Sequence, residues 1–421
     1  MENINKILKK QSEKVNIDDK EFNKIKQVSD DFCKELKKRI KERKINAEVF
    51  VGGSLAKNTL VKTDENKYDV DIFVRFDKKY KEEEISDILK KLFWKKPKNI
   101  HGSRDYFQII VDKIILEIIP VIKIKNPSQA RNITDLSYFH VNYVLNHIKK
   151  NKKLSDEIRL AKAFAHGQDC YGAESYIKGF SGYAIELLII YYGSFLNFIK
   201  SIAKNKSGEK IIIDSENHYK NKKDVLMEMN ESKILSPVVL VDPTFKERNA
   251  LSGLSNETFE KFKKSCIDFL SNPSHEFFIR KKVSDEFKNY KNVKKISIKT
   301  SKQAGDIAGT KSKKFFSFLL NQISREFEIK KSGFEYDEDE NIAHAYLALD
   351  KKSDEIIKGP PIVRVEHLNG FKKVHPDAFI KNGFCYAKVS HEMSFNEFIK
   401  RLKDRDKKII KEMGVSEMKE I

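Results

Sequence analysis

The chain has 421 residues, of which 40% are hydrophobic and 34% charged, with a formal net charge of +20. This length is too great for one ordinary hydrophobic core, so the composition predicts a folded chain of two to four domains. The basic excess favours a polyanionic partner such as nucleic acid, although a lysine-rich background explains part of it.

The cysteine spacing argues against a zinc-binding or secreted disulfide-rich protein, and the apolar runs argue against a membrane-spanning one. The four cysteines are far apart, so their spacing matches neither a zinc site nor a secreted disulfide framework. The N-terminus lacks an apolar signal core, and the longest apolar run, residues 184–192, is too short to span a bilayer. We therefore expect a cytoplasmic protein with reduced thiols and no membrane partner.

The first elements lead to a glycine-rich turn. Residues 1–45 are predicted to be helical, because apolar residues recur at three- and four-residue steps. Residues 47–51 are rich in β-formers and predict a short strand. In the following Gly52-Gly53-Ser54, glycines allow a close backbone approach, and Ser54 is placed as the N-cap of a short helix. Free amides at such a helix start are suited to binding a phosphate.

Two carboxylates follow on the next predicted strand. Asp69 and Asp71 are two residues apart, so both point to one face, while Val70 and Ile72 point to the other. Adjacent carboxylates repel each other unless a divalent cation lies between them, and Mg²⁺ binds carboxylates together with substrate phosphates. The motif alone is more often a solvated strand edge, but the Gly-Ser turn in front of it favours a metal site.

This arrangement resembles the nucleotidyltransferase superfamily of DNA polymerase β and the poly(A) polymerases. Its pattern is Gly-Ser, a short helix, Asp-x-Asp and a third carboxylate on a later strand. Glu117 is the best third candidate, since it is the one charge in an apolar run, where most relatives have Asp. Strands at residues 107–111 and 114–119, joined by a turn, are expected to bring it beside the aspartates. Arg104 is interpreted as a surface charge rather than a phosphate ligand.

Later motifs narrow the resemblance. Residues 135–200 are predicted to be helical, and residues 237–242 form a predicted strand that ends at Asp-Pro and is followed by a loop. Together, Gly-Phe-Ser-Gly-Tyr-x-x-Glu-Leu-Leu from Gly179, Tyr-Gly-Ser-Phe from Tyr192, and Val-Asp-Pro-x-x-x-x-Arg-Asn from Val241 resemble the archaeal, class I CCA-adding enzymes. The resemblance covers residues from about 30 to 270.

The resemblance implies a multidomain α+β fold. Residues 1–130 would form a polymerase β-like nucleotidyltransferase head with a mixed sheet, and residues 131–272 a helical central domain that binds nucleotide. Residues 273–421 would form an α+β body with a helical tail that holds the acceptor and TΨC arms of tRNA. Here the sequence predicts strands at residues 294–299, 341–349, 361–365 and 384–389, a helix at 311–327 and a terminal helix from about 394.

The implied activity is template-independent addition of C, C and A to the 3′ end of immature tRNA from CTP and ATP. The resemblance implies Mg²⁺ bound by Asp69, Asp71 and Glu117, which are also the catalytic residues, and it gives an expectation of a homodimer. Lys57 stands where relatives have Arg. The implied nucleotide-binding residues are Gly53, Ser54, Lys57, His140, Lys162, Tyr171 and Arg248.

The sequence leaves open two alternative functions and the role of one basic stretch. The chain could be another RNA nucleotidyltransferase of the superfamily, such as a poly(A)-type polymerase, or a catalytically inactive RNA-binding relative. The densest basic stretch is a candidate phosphate-contact surface or a solvated helix face. It consists of Lys291, Lys294, Lys295, Lys299, Lys302, Lys311, Lys313 and Lys314.

Overall fold

The computed structural model describes residues 4–62, 67–102, 104–206, 208–301, 305–338 and 340–421. The chain divides into two units, Met1–Arg280 and Lys281–Ile421. The first elements of unit 1 are α1 (Ile4–Val15), α2 (Asp19–Glu42), β1 (Ala47–Val51), α3 (Gly53–Ala56), β2 (Tyr68–Phe76), α4 (Glu82–Lys90), β3 (Lys98–Ile100), β4 (Tyr106–Val111), β5 (Ile114–Ile122) and the 3-10 helices Pro127–Gln129 and Ile133–Leu136.

Strands β1 to β5 form the head sheet, in the order β1-β2-β5-β4-β3. Strands β2 and β5 are parallel to each other. The pairs β1–β2, β5–β4 and β4–β3 are antiparallel. Val70, Ile72 and Val74 are fully buried and belong to the same core as residues of α2 and α4. The predicted mixed sheet, the hairpin and the alternation along β2 are therefore confirmed.

Arg104 corrects a prediction in this head region. We expected a surface charge, but the side chain is buried, and its Nη1 donates to Asp135 Oδ1 at 2.6 Å. Its Nη2 also donates to Glu82 at 2.5 Å. Asp135 accepts in addition from the backbone amide of Ile122, at the end of β5. Arg104 is thus part of a buried ion pair that fixes the loops at one end of the sheet.

The rest of unit 1 is mainly helical. It contains α5 (Ser137–Lys150), α6 (Leu154–Gly167), α7 (Gly182–Tyr192), α8 (Phe195–Lys204), β6 (Ile211–Ile213), α9 (Lys222–Glu228), α10 (Glu231–Ile234), β7 (Val238–Asp242), β8 (Phe245–Asn249), α11 (Asn256–Ser271) and the 3-10 helix His275–Phe278. The predicted loop after Asp242 is wrong, since the chain turns at Pro243 and returns as β8, antiparallel to β7.

The central core of unit 1 surrounds α6 and α7. Phe164 is fully buried and contacts several rings, including those of Phe262 and Phe269 on α11. Ile7 and Val15 of α1 belong to this core, although α2 packs on the head sheet. The N-terminal segment therefore crosses from the head to the central helices.

In the described part of the chain, no single helix is both long and apolar enough to cross a membrane. The pair α7 and α8 passes by length and composition when the two helices are taken together, but they are bent by 92°.

The described residues of unit 2 form two small sheets. Its elements are the 3-10 helix Val283–Phe287, β9 (Val293–Thr300), α12 (Gly305–Ile323), β10 (Phe327–Asp337), β11 (Ile342–Lys351), β12 (Glu355–Pro361), α13 (Val365–Val374), β13 (Phe379–Lys381), β14 (Phe384–Val389), α14 (Phe395–Arg405), α15 (Lys407–Glu412) and β15 (Val415–Glu420). The strand orders are β10-β11-β9-β15 and β12-β14-β13.

Several predicted boundaries in unit 2 are wrong. Phe327 starts β10 instead of ending a helix, and its ring packs against Phe395 and Phe398. The strand expected at residues 361–365 ends at Pro361, and α13 follows. Past the terminal helices, Gly414 adopts a positive φ of 80°, and the chain returns as β15 along β9.

The basic stretch of unit 2 is not a single helix face. Lys294, Lys295 and Lys299 lie on β9, whereas Lys311, Lys313 and Lys314 lie on α12. Lys302 lies outside the described residues.

Candidate active site

The carboxylates of the head share one face of the sheet. Asp71 on β2 lies directly opposite Glu117 on the parallel strand β5, and Asp69 precedes it by two residues on the same face. Asp69 is exposed, whereas Asp71 and Glu117 are partly buried. Gln108 on β4 is the register partner of Glu117 and donates from Nε2 to Oε1 at 2.7 Å. The sheet pairing thus puts the three carboxylates that the sequence singled out on one face, with Asp71 and Glu117 directly opposite each other.

Gly53 lies against Asp71 in a way that only glycine permits. Its φ is 57°, and a Cβ built there would lie 1.7 Å from Asp71 Oδ2. Helix α3 starts at this residue, so its N-cap is Gly52, whose amide donates to the Asp71 carbonyl at 2.9 Å. Ser54 is therefore the second residue of α3 and not its N-cap, which corrects the predicted position. The backbone at the start of α3 is nevertheless held beside the carboxylates.

A buried ion network lies next to Asp71. Lys57 Nζ donates to Glu186 Oε2 at 2.6 Å, and Lys162 Nζ donates to Oε1 at 2.8 Å. Thr59 Oγ1 donates to Oε1 at 3.0 Å. Glu186 is fully buried, and both lysines are about 5% exposed. The network links residues that follow α3 to helices α6 and α7.

The charges of this network determine how its members ionise. Burial opposes ionisation of Glu186, but the two ammonium groups outweigh it and lower its pKa to about 2. Desolvation raises the pKa of Asp71, although Lys57 and Lys162 act against that rise. A cation close to Asp71 would restore its ionised form.

Tyr171 is oriented towards the same charges. It lies between α6 and α7, and a Cβ on Gly182 would lie 2.8 Å from its hydroxyl oxygen and 3.8 Å from Cε of Lys162. Desolvation, followed by the charge of Glu186, raises the pKa of the phenol. Asp71 and Asp69 raise it further, which places Tyr171 within electrostatic reach of the carboxylate face.

His140 and Arg248 meet at a second buried carboxylate, Asp242. His140 Nε2 lies 2.9 Å from Asp242 Oδ2, and Arg248 Nη1 lies 2.7 Å from the same oxygen. The His140 ring stacks on Tyr183 with centroids 4.1 Å apart. Burial lowers the pKa of His140, and the charges of Arg248 and Lys57 lower it further, whereas Asp242 raises it. His140 is therefore paired with Asp242 and Tyr183 and is within electrostatic reach of Lys57.

Sequence reasoning gave no role to Glu186 and Asp242, two buried carboxylates of the site. Glu186 is the one charged residue in the apolar helix α7, which is the same signal that singled out Glu117 on its strand. Asp242 belongs to the Val-Asp-Pro motif that starts at Val241. Tyr183 and His140 are far from it in the chain, so no local pattern shows that they contact it. Among the described residues, no three His, Cys, Asp or Glu side chains converge closely enough to form a metal-ion site. The three carboxylates of the sheet still offer hard oxygen donors on one face.

Comparison with known proteins assigns the class of this site. A family model described as a nucleotidyltransferase domain matches residues 33–138, and one described as tRNA nucleotidyltransferase, second domain, matches residues 156–279. The fold resembles crystal structures of the Cid1 poly(U) polymerase, with a TM-score of 0.51 at 15% identity over 66% of this chain and 98% of that one. The site is thus that of a nucleotidyltransferase with a polymerase β-like fold.

Two relatives identify the family. The chain is 33% identical to the CCA-adding enzyme of Nanoarchaeum equitans (strain Kin4-M) over 357 residues, which are 82% of this chain and 85% of that one. It is 32% identical to the CCA-adding enzyme of Methanocaldococcus jannaschii over 363 residues, 82% of this chain and 78% of that one. The chain belongs to the family of archaeal CCA-adding enzymes, which are tRNA nucleotidyltransferases acting at the 3′ end of tRNA.

Proposed function

We propose that this enzyme adds C, C and A in turn to the 3′ end of tRNA that lacks them. It would use CTP and ATP without a nucleic-acid template and release pyrophosphate. The observation that carries the proposal is the juxtaposition of Asp71 with Glu117 on one side and the Gly53 backbone on the other. The proposal is supported because the carboxylates and a backbone turn suited to binding phosphate lie next to each other.

Asp69, Asp71 and Glu117 are the proposed metal ligands, and the group that fits them is Mg²⁺. When bound there, magnesium supplies charge stabilisation for the attacking and leaving oxygens of a phosphoryl transfer. Asp71 supports this assignment, because desolvation raises the pKa of an unneutralised carboxylate at that position. Glu117 has a longer side chain than the Asp usual in relatives, and Gln108 holds one of its oxygens.

The triphosphate is proposed to lie along the start of α3. Gly53 and Ser54 would contact the β- and γ-phosphates through the backbone and the hydroxyl. Lys57, Lys162 and Tyr171 would bind the triphosphate or the ribose. Both ammonium groups are already oriented by Glu186, so nucleotide binding would cost little side-chain entropy.

His140 and Arg248 are proposed to act at the nucleoside end. Arg248 would read the base edge, because a guanidinium offers N–H donors that acceptors on cytosine and adenine share. His140 would bind the ribose or the triphosphate. The chemical step then forms a bond between the terminal 3′-oxygen and the α-phosphorus while the bond to the bridging oxygen of pyrophosphate breaks.

The remaining proposals concern the whole chain. We infer a head of residues 1–130, a central nucleotide-binding domain of residues 131–272, and a C-terminal part of residues 273–421. The C-terminal part would hold the acceptor and TΨC arms of tRNA through shape and backbone contacts. A cytoplasmic location and a homodimer are part of the same proposal.

The test is incubation of purified protein with tRNA lacking its 3′-terminal CCA, with CTP and ATP supplied separately and together. We expect addition to stop at three nucleotides, and Asp71→Ala to abolish it. A long homopolymeric tail would instead indicate a poly(A)-type polymerase. No incorporation by the wild-type protein, together with retained tRNA binding, would indicate an inactive RNA-binding relative.

A further inference from the structure

Asp242 is held rigidly by one of its two oxygens. It is the last residue of β7, and its side chain is fully buried. The backbone amide and the hydroxyl of Thr244 each donate to Oδ1 at 2.8 Å. The hydroxyl of Tyr183, on α7, donates to the same oxygen at 3.2 Å. Three donors therefore fix the orientation of the carboxylate before any nucleotide is bound.

The other oxygen of Asp242, Oδ2, faces both His140 and Arg248. Nη1 of Arg248 donates to Oδ2 at 2.7 Å, and the arginine side chain remains 20% exposed while Asp242 is inaccessible. The guanidinium carbon also lies 5.6 Å from the ring centroid of Tyr183. One edge of the guanidinium is thus fixed by a charged hydrogen bond, which is stronger than a neutral one.

Asp242 carries a negative charge in this environment. Burial opposes its ionisation, but His140 and Arg248 outweigh that effect and lower its pKa well below the usual range. A buried charge is tolerated when charged partners and hydrogen bonds compensate for lost hydration. The carboxylate is therefore a permanent partner for Arg248 at physiological pH.

We propose that Asp242 is a specificity-determining positioning residue, which acts through Arg248 and does not itself touch the nucleotide. This inference rests on the proposed function, in which Arg248 reads the base edge. A guanidinium has five N–H donors in a planar fork, so its selectivity depends on which edge faces the base. By occupying Nη1, Asp242 leaves one defined set of donors for cytosine and adenine and directs it away from the acceptor patterns of uracil and guanine.

A purely structural role for Asp242 predicts something different. In that case the residue would only hold the turn between β7 and β8, and its loss would lower stability and all activities together. The Asp242→Asn substitution separates the two roles. It can keep the Oδ1 acceptor for Thr244 and Tyr183, while replacing Oδ2 with an amide that offers Arg248 a donor instead of an acceptor. The same amide faces His140, whose proposed contact with the ribose or triphosphate affects all four nucleotides alike, so the ratios between nucleotides report on Arg248.

The experiment measures kcat/KM for all four nucleoside triphosphates on tRNA that lacks CCA or only its final A. For Asp242→Asn we expect the preference for CTP over UTP, and for ATP over GTP, to fall about tenfold or more, as for a misdirected charged hydrogen bond. Arg248→Ala should lower the same ratios, and the double variant should lower them no further, because both changes remove one interaction.

Two more variants control for folding. Asp135→Asn weakens another buried carboxylate–arginine pair of unit 1, with Arg104, and should lower stability while leaving the nucleotide ratios unchanged. Arg248→Lys keeps the charge but has no planar fork, so it should reproduce the loss of selectivity even if Asp242→Asn fails to fold.

The proposal is overturned by unchanged ratios in Asp242→Asn or in Arg248→Lys. It is also overturned if the effects of Asp242→Asn and Arg248→Ala on the ratios are additive. Failure of the wild-type protein to incorporate CMP or AMP would overturn the proposed function, and this inference with it. If the wild-type protein adds CCA normally and the variants keep the wild-type preference among nucleotides, only this inference is overturned.

Discussion

A single buried carboxylate, Glu186, orders the cationic side of the site. Its two oxygens accept from Lys57, Lys162 and Thr59, so three groups from separate parts of the chain share one partner. Removing one member of a buried ion pair leaves uncompensated charge, which is more costly than the pair is favourable. The residue is therefore more important for the site than its position in an apolar helix suggests.

Glu186→Gln should destabilise the protein by about 3–5 kcal/mol at neutral pH, because two buried ammonium groups lose their counter-charge. Urea unfolding measures the change. Glu48→Gln is the matched control, since Glu48 also faces two cations, Arg75 and Lys123, but its side chain is about half exposed. We expect that control to cost less than about 1 kcal/mol, and an equal cost for both variants would contradict the prediction.

The stability due to Glu186 should depend on pH in a defined direction. Its pKa is lowered from 4.5 to about 2, so its contribution is complete above about pH 4.5 and is lost as the pH falls towards 2. The shift corresponds to about 3 kcal/mol. The difference in unfolding free energy between wild type and Glu186→Gln should therefore be smaller at pH 3 than at pH 7. A difference that does not change with pH would argue against this assignment.

Gly53→Ala should lower activity about 100-fold, because a Cβ would displace the Asp71 carboxylate by an ångström or more. Gly193→Ala is the matched control. Gly193 also has a positive φ, but a Cβ there would meet nothing within 4 Å. Both variants should lose about 1 kcal/mol of stability from backbone strain. Equal activities of the two variants in the addition of nucleotides to tRNA lacking CCA would contradict the role assigned to Gly53.

At the scale of elements, the helix α1 joins a core that its sequence does not identify. Its apolar spacing predicts a helix with one buried face, yet that pattern is equally compatible with packing on the head sheet. In the structure Ile7 and Val15 pack into the central core beside α6. The amide of Lys62 also donates to the carbonyl of Val15 at 2.9 Å. Helix α1 thus connects the two cores of unit 1.

Ile7→Ala should cost about 2–5 kcal/mol, because the fully buried side chain leaves a cavity against α6. Lys9→Ala on the exposed face of the same helix should change stability by less than about 0.5 kcal/mol. Thermal or urea unfolding of the two variants checks the difference. A negligible effect of Ile7→Ala would mean that α1 is not docked in solution.

Local patterns predicted the elements around the proposed catalytic carboxylates well. The alternation along β2 and the turn between β4 and β5 depend on neighbouring residues, so the sequence contains enough information to place them. Strand β8 was missed because three of the five side chains in Phe245–Asn249 are charged, which does not indicate a strand. The segment is extended because it pairs with β7, and that pairing cannot be read from its own residues. The Asp242–Arg248–Tyr183 contacts depend on tertiary packing, so no local pattern could have predicted them.

At the scale of the molecule, unit 1 contains every residue proposed to bind nucleotide or metal. It also has two large cores of its own, one below the head sheet and one among the central helices. Unit 2 has separate sheets. The proposed chemistry and most of the proposed tRNA binding therefore belong to different parts of the chain.

A fragment of residues 1–280 should unfold cooperatively and bind CTP and ATP with affinity close to that of the full chain, because its cores and its site are complete. Its affinity for tRNA should fall, since the proposed arm-binding part is missing. Calorimetry of nucleotide binding and filter binding of tRNA measure the two effects. The same fragment with Lys57→Ala is the control for nucleotide binding, and undiminished tRNA affinity would contradict the proposed division.

The lysine–glutamate network has a mechanical consequence for the catalytic cycle. The ion pairs connect the segment after α3 to helices α6 and α7. If that segment moved away from the helices, buried charges would lose their partners. The penalty of several kcal/mol for each ion makes such a movement rare. In the successive additions proposed above, the growing tRNA terminus would therefore have to move while this part of the protein stays in place.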